Sequence, residues 1–596
     1  TLDEVRAYRN KAREVIDSVI RHTPFTLPIG WNDPFWAVIM GIEHEHIHLE
    51  TSSVLMRQHA LHYVKPHPAW QPCRSTGIAP DNSLVNIPAG RVVLGRSLNE
   101  PIYGWDNEYG RHEADVPAFQ AARHLVSNKE FLEFVNAGGY TKSQYWDEEG
   151  ADWRAFSKAT HPTFWVRDTD VQGGWKLRLL AEEVPMPWSW PVETNYHESR
   201  AFCCWKAEQT GQPVRLPTED EWNRIYDHAR LSDVPTNAIA TANLHLDHWA
   251  SSCPVNQFAQ GELFDVVGNV WQWCETPTYP FDGFDVHPIY DDFTSPTFDN
   301  RHNIIKGGSW ISCGNESRHA SRYAFRKHFF QHAGFRYVVT DTPAVNPLST
   351  YENDALVSQY AEFHYGDPSF GVPNFAKTMA DLAIAAHQRH GNGSAGKALD
   401  LGCATGRSSF ELARTFNKVI GIDFSTLLIQ VGIRLKETGI IRYTLPDEGE
   451  LLNYYERRLD TLGLAHTADT VEFWQGDACN MKDIHTGFDL ILAANLIDRL
   501  YAPRRFLKDV ANRLNPGGLL VLASPYTWLE EYTKREEWIG GFKKDGESYT
   551  TLDGLKEILN ENFTLVEEPD AVPFVIRETR RKHQYTLSDV TVWKRR

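Results

Sequence analysis

Residues 398–407 read Ala398-Leu399-Asp400-Leu401-Gly402-Cys403-Ala404-Thr405-Gly406-Arg407. A short apolar run leads into a glycine-rich turn, and the turn opens a helix. Glycine there lets the backbone turn tightly and come close to a ligand. Outward from this stretch, apolar runs recur at Lys397–Leu401, Val419–Ile422, Phe488–Ala493 and Leu519–Ala523, with helical stretches between them. Strands alternating with helices predict an α/β domain on a parallel sheet. Its span is read as residues 346–596, with Thr342-Pro343 to Pro347 as the linker before it.

The preceding residues, 66–345, have a different character. They are rich in Trp, Gly, Pro and Asn, and most of the chain's 20 tryptophans lie before residue 311. Short strand-like runs occur at Val85–Ile87 and Arg91–Leu94, with helices near Asn128–Asn136 and Glu198–Gln209. This predicts a loop-rich α+β domain whose tryptophans fill the core.

Residues 1–65 read as helical. Asp3 is placed as the cap of a helix from Glu4 to Arg21, with Val5, Tyr8, Ala12, Val15 and Val19 on one face. Pro24, Pro28 and Gly30 end it, and a second helix from Asp33-Pro34 carries Trp36 to Gln58. Two helices cannot close a core, so they read as part of an N-terminally incomplete bundle. The second helix contains Ile42-Glu43-His44-Glu45-His46-Ile47-His48-Leu49-Glu50. His44 and His48 are four residues apart, share a helix face and suit one metal ion. His46 points away, and Glu45 or Glu50 would accept a hydrogen bond from a ring. The same spacing suits a zinc hydrolase with Glu45 as base.

The formal charge, from 60 Lys and Arg against 78 Asp and Glu, is −18, which argues against a bulk nucleic-acid binder. Hydrophobic residues at 42% exclude wholesale disorder. No apolar run reaches the ~18 residues of a membrane span. Eight cysteines in 596 residues do not make a disulfide framework, so a reducing, cytoplasmic setting is expected.

Six phrases of the middle segment occur in a telling order. They are Asn86-Ile87-Pro88-Ala89-Gly90, Trp105-Asp106-Asn107-Glu108, Arg215-Leu216-Pro217-Thr218-Glu219-Asp220-Glu221-Trp222, Leu263 to Trp273, Lys306-Gly307-Gly308-Ser309-Trp310 and Gly334-Phe335-Arg336. Together they resemble the formylglycine-generating-enzyme-like, or sulfatase-modifying-factor, domain. Copper-dependent members use a Cys pair after the Gly-Gly-Ser turn, where this chain has Ser312 and Ser317, with Cys313 one residue out of register. Helices bearing HxxxH ahead of such a domain are similar to the sulfoxide synthases of thiohistidine biosynthesis. There a DinB-like bundle supplies three histidines to non-haem Fe(II). The resemblance implies His44 and His48 as two ligands and a third upstream of Thr1, since His22 ends a helix beside Pro24. It also implies an active-site tyrosine in the loop Thr278-Tyr279-Pro280-Phe281, with Tyr290 and Tyr323 as competitors. Arg322, Tyr323, Arg326 and His328 precede the Gly334-Phe335-Arg336 motif, where that family binds substrate carboxylates.

The C-terminal set resembles class I S-adenosyl-L-methionine (SAM) methyltransferases. The resemblance implies Gly402 and Gly406 for the cofactor turn and Asp400 for its charged amino-acid end. It implies Asp423 for the ribose, Asp477, in Gly476-Asp477-Ala478, for the adenine amine, and Asn495 for the methyl sulfonium. Asn515-Pro516-Gly517-Gly518 completes the pattern, and Tyr501 and Tyr526 are further candidates for the acceptor pocket.

The order of the three segments resembles the ovothiol branch of sulfoxide synthases, in which a 5-histidylcysteine sulfoxide synthase is fused to a thiohistidine N-methyltransferase. The implied reactants are L-cysteine, L-histidine, O2 and 5-thiohistidine, with Fe(II) and SAM as cofactors. A separate pyridoxal-phosphate lyase would act between the two steps, with no nucleic acid and no membrane as partner. The ergothioneine branch, which acts on trimethylhistidine, has Asn-Trp-Asp where this chain has Arg322-Tyr323-Ala324, and Gln where it has Ile47. An inactive binding module with a live methyltransferase is the remaining alternative.

Overall fold

The computed structural model describes every residue except 172, 232–240, 288, 291–292, 346–353 and 450. Pro347 of the expected linker lies outside the described residues. The chain divides into two compact units, Thr1–Ile289 with Asn300–Leu348, and Tyr290–Asp299 with Ser349–Arg596.

In the first unit, helix α1 spans Leu2–His22. Thr1, rather than Asp3, caps it. The Thr1 hydroxyl accepts from Glu4 N and Glu4 returns a bond to the cap, because the threonine sits one turn ahead of a glutamate. The predicted apolar stripe is present but no residue of α1 is buried, and Tyr8 is 78% exposed. Helix α2 spans Pro34–Gln58, with Asp33 at the cap position and Pro34 in the first turn. It buries Trp36, Met40, Glu50, Ser53, Val54 and Arg57. Both helices fall in the same compact unit as the loop-rich segment.

That segment is built on two four-stranded sheets. One runs Leu84–Ile87, Phe119–Ala122, Val338–Val339, Val214–Arg215, all antiparallel. The other runs Tyr323–Arg326, His302–Lys306, Trp271–Pro277, Ala333–Gly334. The sequence motifs are its joints. Thr218 caps the helix Glu219–His228 in a box with Glu221, whose carboxylate Arg215 grips at 2.6 and 2.7 Å, and Trp222 is buried beneath. Arg336 is fully buried and donates to the carbonyls of Ala122, Arg123 and Phe264. Gly307 has φ +98°, and a Cβ there would sit 2.7 Å from the Val266 carbonyl, so no larger residue fits this turn.

The second unit holds a sheet ordered Val471–Gln475, Lys418–Asp423, Lys397–Leu401, Phe488–Ala494, Leu514–Ser524, His583–Arg595, Phe563–Leu565. The first five strands are parallel and His583–Arg595 runs antiparallel to its neighbours. The strand order reverses between Lys397–Leu401 and Phe488–Ala494, which makes a topological switch point for a ligand. Both faces of the sheet are covered, as continuous apolar runs require. Leu490 and Leu492 enter the core under the helix Phe375–His390, while Ile491 and Ala493 enter the core under Pro503–Arg513.

Candidate active sites

The histidine pair stands on α2. The rings of His44 and His48 are edge to face with centroids 4.5 Å apart. Burial and the neighbouring His48 ring hold the His44 imidazole below its ordinary value, so it is neutral near pH 7, the form that binds a metal. His46 lies on another side of the helix, with Nδ1 3.1 Å from Glu43 Oε2. Two imidazoles one turn apart fit two positions of a metal ion. Among the described residues no group of three His, Cys, Asp or Glu is placed to complete such a site. Glu45 is exposed.

Glu50 does not serve a histidine ring, as the spacing suggested. Its Oε1 accepts from Trp271 Nε1 at 2.7 Å and Ser309 Oγ at 2.8 Å, and its Oε2 from Ser312 Oγ at 2.7 Å. Three residues on, Ser53 Oγ is 2.8 Å from His332 Nε2, and Arg57 is ion-paired with Glu193. On the other side of the pair, Glu43 Oε2 accepts from Asn315 N at 2.8 Å. Glu316, near Glu50 and Glu43, is driven well above the usual carboxylate range by burial and those two charges. Cys313 donates to the Ile311 carbonyl, and burial pushes its thiol up to about 11.

Tyr279 is buried. The Arg322 guanidinium lies 4.7 Å from its ring centroid, His112 meets it edge-on at 5.5 Å, and burial pushes its phenol up. The Tyr279 hydroxyl has no hydrogen-bond partner among the described residues. Arg322 is committed internally. It donates to both oxygens of Glu219 at 2.9 and 3.1 Å, and to the carbonyls of Asn107 and Tyr279. Burial disfavours the Glu219 charge, but Arg322 and Lys306 outweigh it and hold the carboxyl low. The Tyr323 hydroxyl donates to Asn315 Oδ1 at 2.9 Å and accepts from Trp105 Nε1 at 2.8 Å. Arg326 is half-buried and His328 exposed, whereas Arg322 and Tyr323 are buried and tied to protein partners. Tyr290 groups with the other compact unit. The sequence does not mark Glu43, Asn315 or the His112–Asp220 pair (3.0 Å), because their partners lie far away along the chain.

In the second unit the predicted cofactor residues lie at or just beyond the C-terminal ends of the strands Lys397–Leu401, Lys418–Asp423, Val471–Gln475 and Phe488–Ala494. Gly402 and Gly406 have φ of +73° and +87°, and a Cβ on Gly406 would stand 2.4 Å from the Phe473 ring. Asp423 accepts from Ala404 N in this turn at 2.8 Å and from Ser425 N at 2.9 Å. Asp400 lies beneath, accepting from Ser409 Oγ at 2.6 Å. Burial, reinforced by the Asp423 charge, pushes it up to about 7. A buried and a half-buried carboxyl group beside a glycine turn suit a ligand with a cationic end. Asp477 accepts from Cys479 N and from the Tyr501 hydroxyl at 2.7 Å. Asn495, at φ +53°, follows Phe488–Ala494, and its side-chain oxygen accepts from Ser588 Oγ at 2.6 Å. Tyr365 donates to the Thr405 carbonyl at 2.7 Å, fastening the helix Asp354–Tyr365 to the turn. These residues fit SAM.

The fold and these sites define a two-part protein. Residues 75–341 match the family described as a sulfatase-modifying factor enzyme 1-like domain, and residues 375–568 match a methyltransferase domain. The hercynine oxygenase of Mycolicibacterium smegmatis is 30% identical over 334 residues, 52% of this chain and 71% of that protein. The Mycobacterium tuberculosis hercynine oxygenase is 30% identical over 37% of this chain and 51% of that protein, so this chain spans about half its length. Ergothioneine biosynthesis protein 1 of Schizosaccharomyces pombe is 28% identical over 42% of this chain and 29% of that protein. The chain belongs to the hercynine oxygenase family, within the ovothiol- and ergothioneine-type sulfoxide synthases. With its methyltransferase domain, which implies SAM, it is an enzyme of two parts. No helix among the described residues is long and apolar enough to cross a membrane.

Proposed function

We propose that the first unit is a non-haem Fe(II)- and O2-dependent sulfoxide synthase that joins L-cysteine to the imidazole C5 of L-histidine. The second unit N-methylates 5-thiohistidine with SAM. The observation that carries this reading is the His44–His48 pair on a helix rooted in the sulfatase-modifying-factor-like domain, with a methyltransferase domain on the same chain. Bound iron would supply oxygen activation, held by His44 and His48 with a third donor. Tyr279 offers a hydroxyl, free of protein partners among the described residues, that would give a proton or hydrogen atom during carbon–sulfur bond formation. Arg326 and His328 remain candidates for a substrate carboxylate. Arg322 and Tyr323 act behind them by holding Glu219 and Asn315 in place.

In the second unit SAM would supply the methyl group. Asp400 and Asp423 would meet its amino-acid end and ribose, Asp477 its adenine, and Asn495 would lie by the sulfonium. Between the two steps a separate pyridoxal-phosphate lyase would release 5-thiohistidine. Eight free cysteines suit a reducing, cytoplasmic setting. A second reading, sulfoxide synthesis on trimethylhistidine, is favoured by the names of the curated relatives. Product mass spectrometry with histidine and trimethylhistidine in parallel decides between them.

A further inference from the structure

Glu50 stands out among the buried charged groups. It is 4% exposed, and among the described residues no cation is paired with its charge. Its three donors come from Trp271, Ser309 and Ser312. The donors are held in advance. Ser309 N donates to Ser312 Oγ at 2.8 Å, and Trp310 N to the Asn269 carbonyl at 3.1 Å, so the turn after Gly307-Gly308 is rigid without the helix. Burying a carboxylate among neutral donors costs solvation that an apolar contact would not. Stability alone is therefore a poor reason for an acid at this position. What three convergent donors do give is a fixed roll and height for the helix that carries the acid.

We propose that Trp271, Ser309 and Ser312 form a carboxylate socket in which Glu50 acts as a positioning residue, setting where His44 and His48 stand. The proposal rests on the reading of those histidines as metal ligands. At 100° per residue, Glu50 projects about 200° around α2 from His48, so the helix is rooted on one side and presents the pair on the other. Ser53 and Arg57 anchor α2 farther along, and Glu43, seven residues back on the same face as Glu50, accepts from Asn315 N. Glu50 is the buried carboxylate nearest in sequence to His48. A slip of one residue in its seat would turn the pair by about 100°, away from any further donor.

The test uses the full-length protein without iron, titrated anaerobically with Co(II). Visible absorption bands report the ligand geometry, and thermal unfolding of the apoprotein is the control. Glu50→Gln places an amide against three donors, and Ser309→Ala with Ser312→Ala removes two of them. Both are expected to unfold within a few degrees of the parent, yet bind Co(II) about tenfold to a hundredfold more weakly, with altered bands. Glu50→Ala is expected to regain affinity on addition of formate, which can enter the empty socket. The same formate should do nothing for the double serine variant. If Glu50→Gln fails to fold, the formate comparison decides. Parental affinity and bands in the folded Glu50→Gln variant, or no formate rescue, would overturn the positioning role while leaving the metal reading intact. Absence of Co(II) binding by the parent would overturn both.

Discussion

Arg57 and Glu193 form an ion pair in which both side chains are only 3% exposed, and the pair locks the C-terminal end of α2 to the sheet domain. Burial opposes ionisation of Glu193, but the Arg57 charge and the His332 ring overcome it and hold the carboxyl at about 2. The unfolded chain's carboxyl titrates near the ordinary 4.5. The stability contributed by this group is therefore complete above about 4.5 and is lost as pH falls towards 2. Glu193→Gln should flatten the acid limb of the stability curve between those values. It should also cost about 3–5 kcal/mol at neutral pH by stranding Arg57. Urea unfolding at a series of pH values measures both effects, and an unchanged acid limb would refute the assignment.

Tyr279 makes its contacts through its ring and its backbone carbonyl. Tyr279→Phe should therefore fold with a nearly unchanged melting temperature. It should slow sulfoxide formation by about 10²-fold or more and leave methylation untouched. Rates of the two reactions, measured separately on the same preparation, test this. Equal slowing of both would point to a structural defect instead.

Asp400 titrates at about 7 in the apo fold, against an ordinary 3.8. Its raised value means that the apoprotein is stabilised by the neutral acid at low pH and loses that contribution as pH climbs from about 4 to about 7. A cationic ligand end favours the ionised form. SAM affinity should thus improve roughly tenfold between pH 6 and pH 8, with proton release on binding. Calorimetry in buffers of different ionisation enthalpy reads the proton. In Asp400→Asn the affinity should be weaker and flat with pH.

Gly406→Ala would force a methyl group to within 2.4 Å of the Phe473 ring at a backbone angle of φ +87°. SAM binding should be lost while metal binding by the first unit persists. Loss of both in one folded variant would show that the sites depend on each other.

Local patterning made most of the architecture legible. The strand Lys397–Leu401 and the helix Asn128–Asn136 fall where the apolar run and the 3.6-residue period put them. The glycine turn and the strand ends that carry Asp400, Asp423 and Asn495 were readable because each follows directly on an apolar run. The neighbourhood of Arg322 was not. Its partner Glu219 is 103 residues away and Tyr323's partner Trp105 is 218 away, so no local spacing announces that these side chains are committed to each other. Glu50 was legible as an acceptor near the histidines but not in its true partners, which come from the turn after Lys306 and from the strand Trp271–Pro277.

The central claim is the chemistry of the first unit, and oxygen-isotope labelling tests it most directly. Full-length protein is supplied with Fe(II), L-cysteine and L-histidine under 18O2, and the product mass is measured. A histidine–cysteine adduct carrying one 18O, formed only with iron present, is expected. An adduct from trimethylhistidine alone would move the substrate to the ergothioneine branch. No labelled adduct from either amine would contradict the sulfoxide-synthase reading.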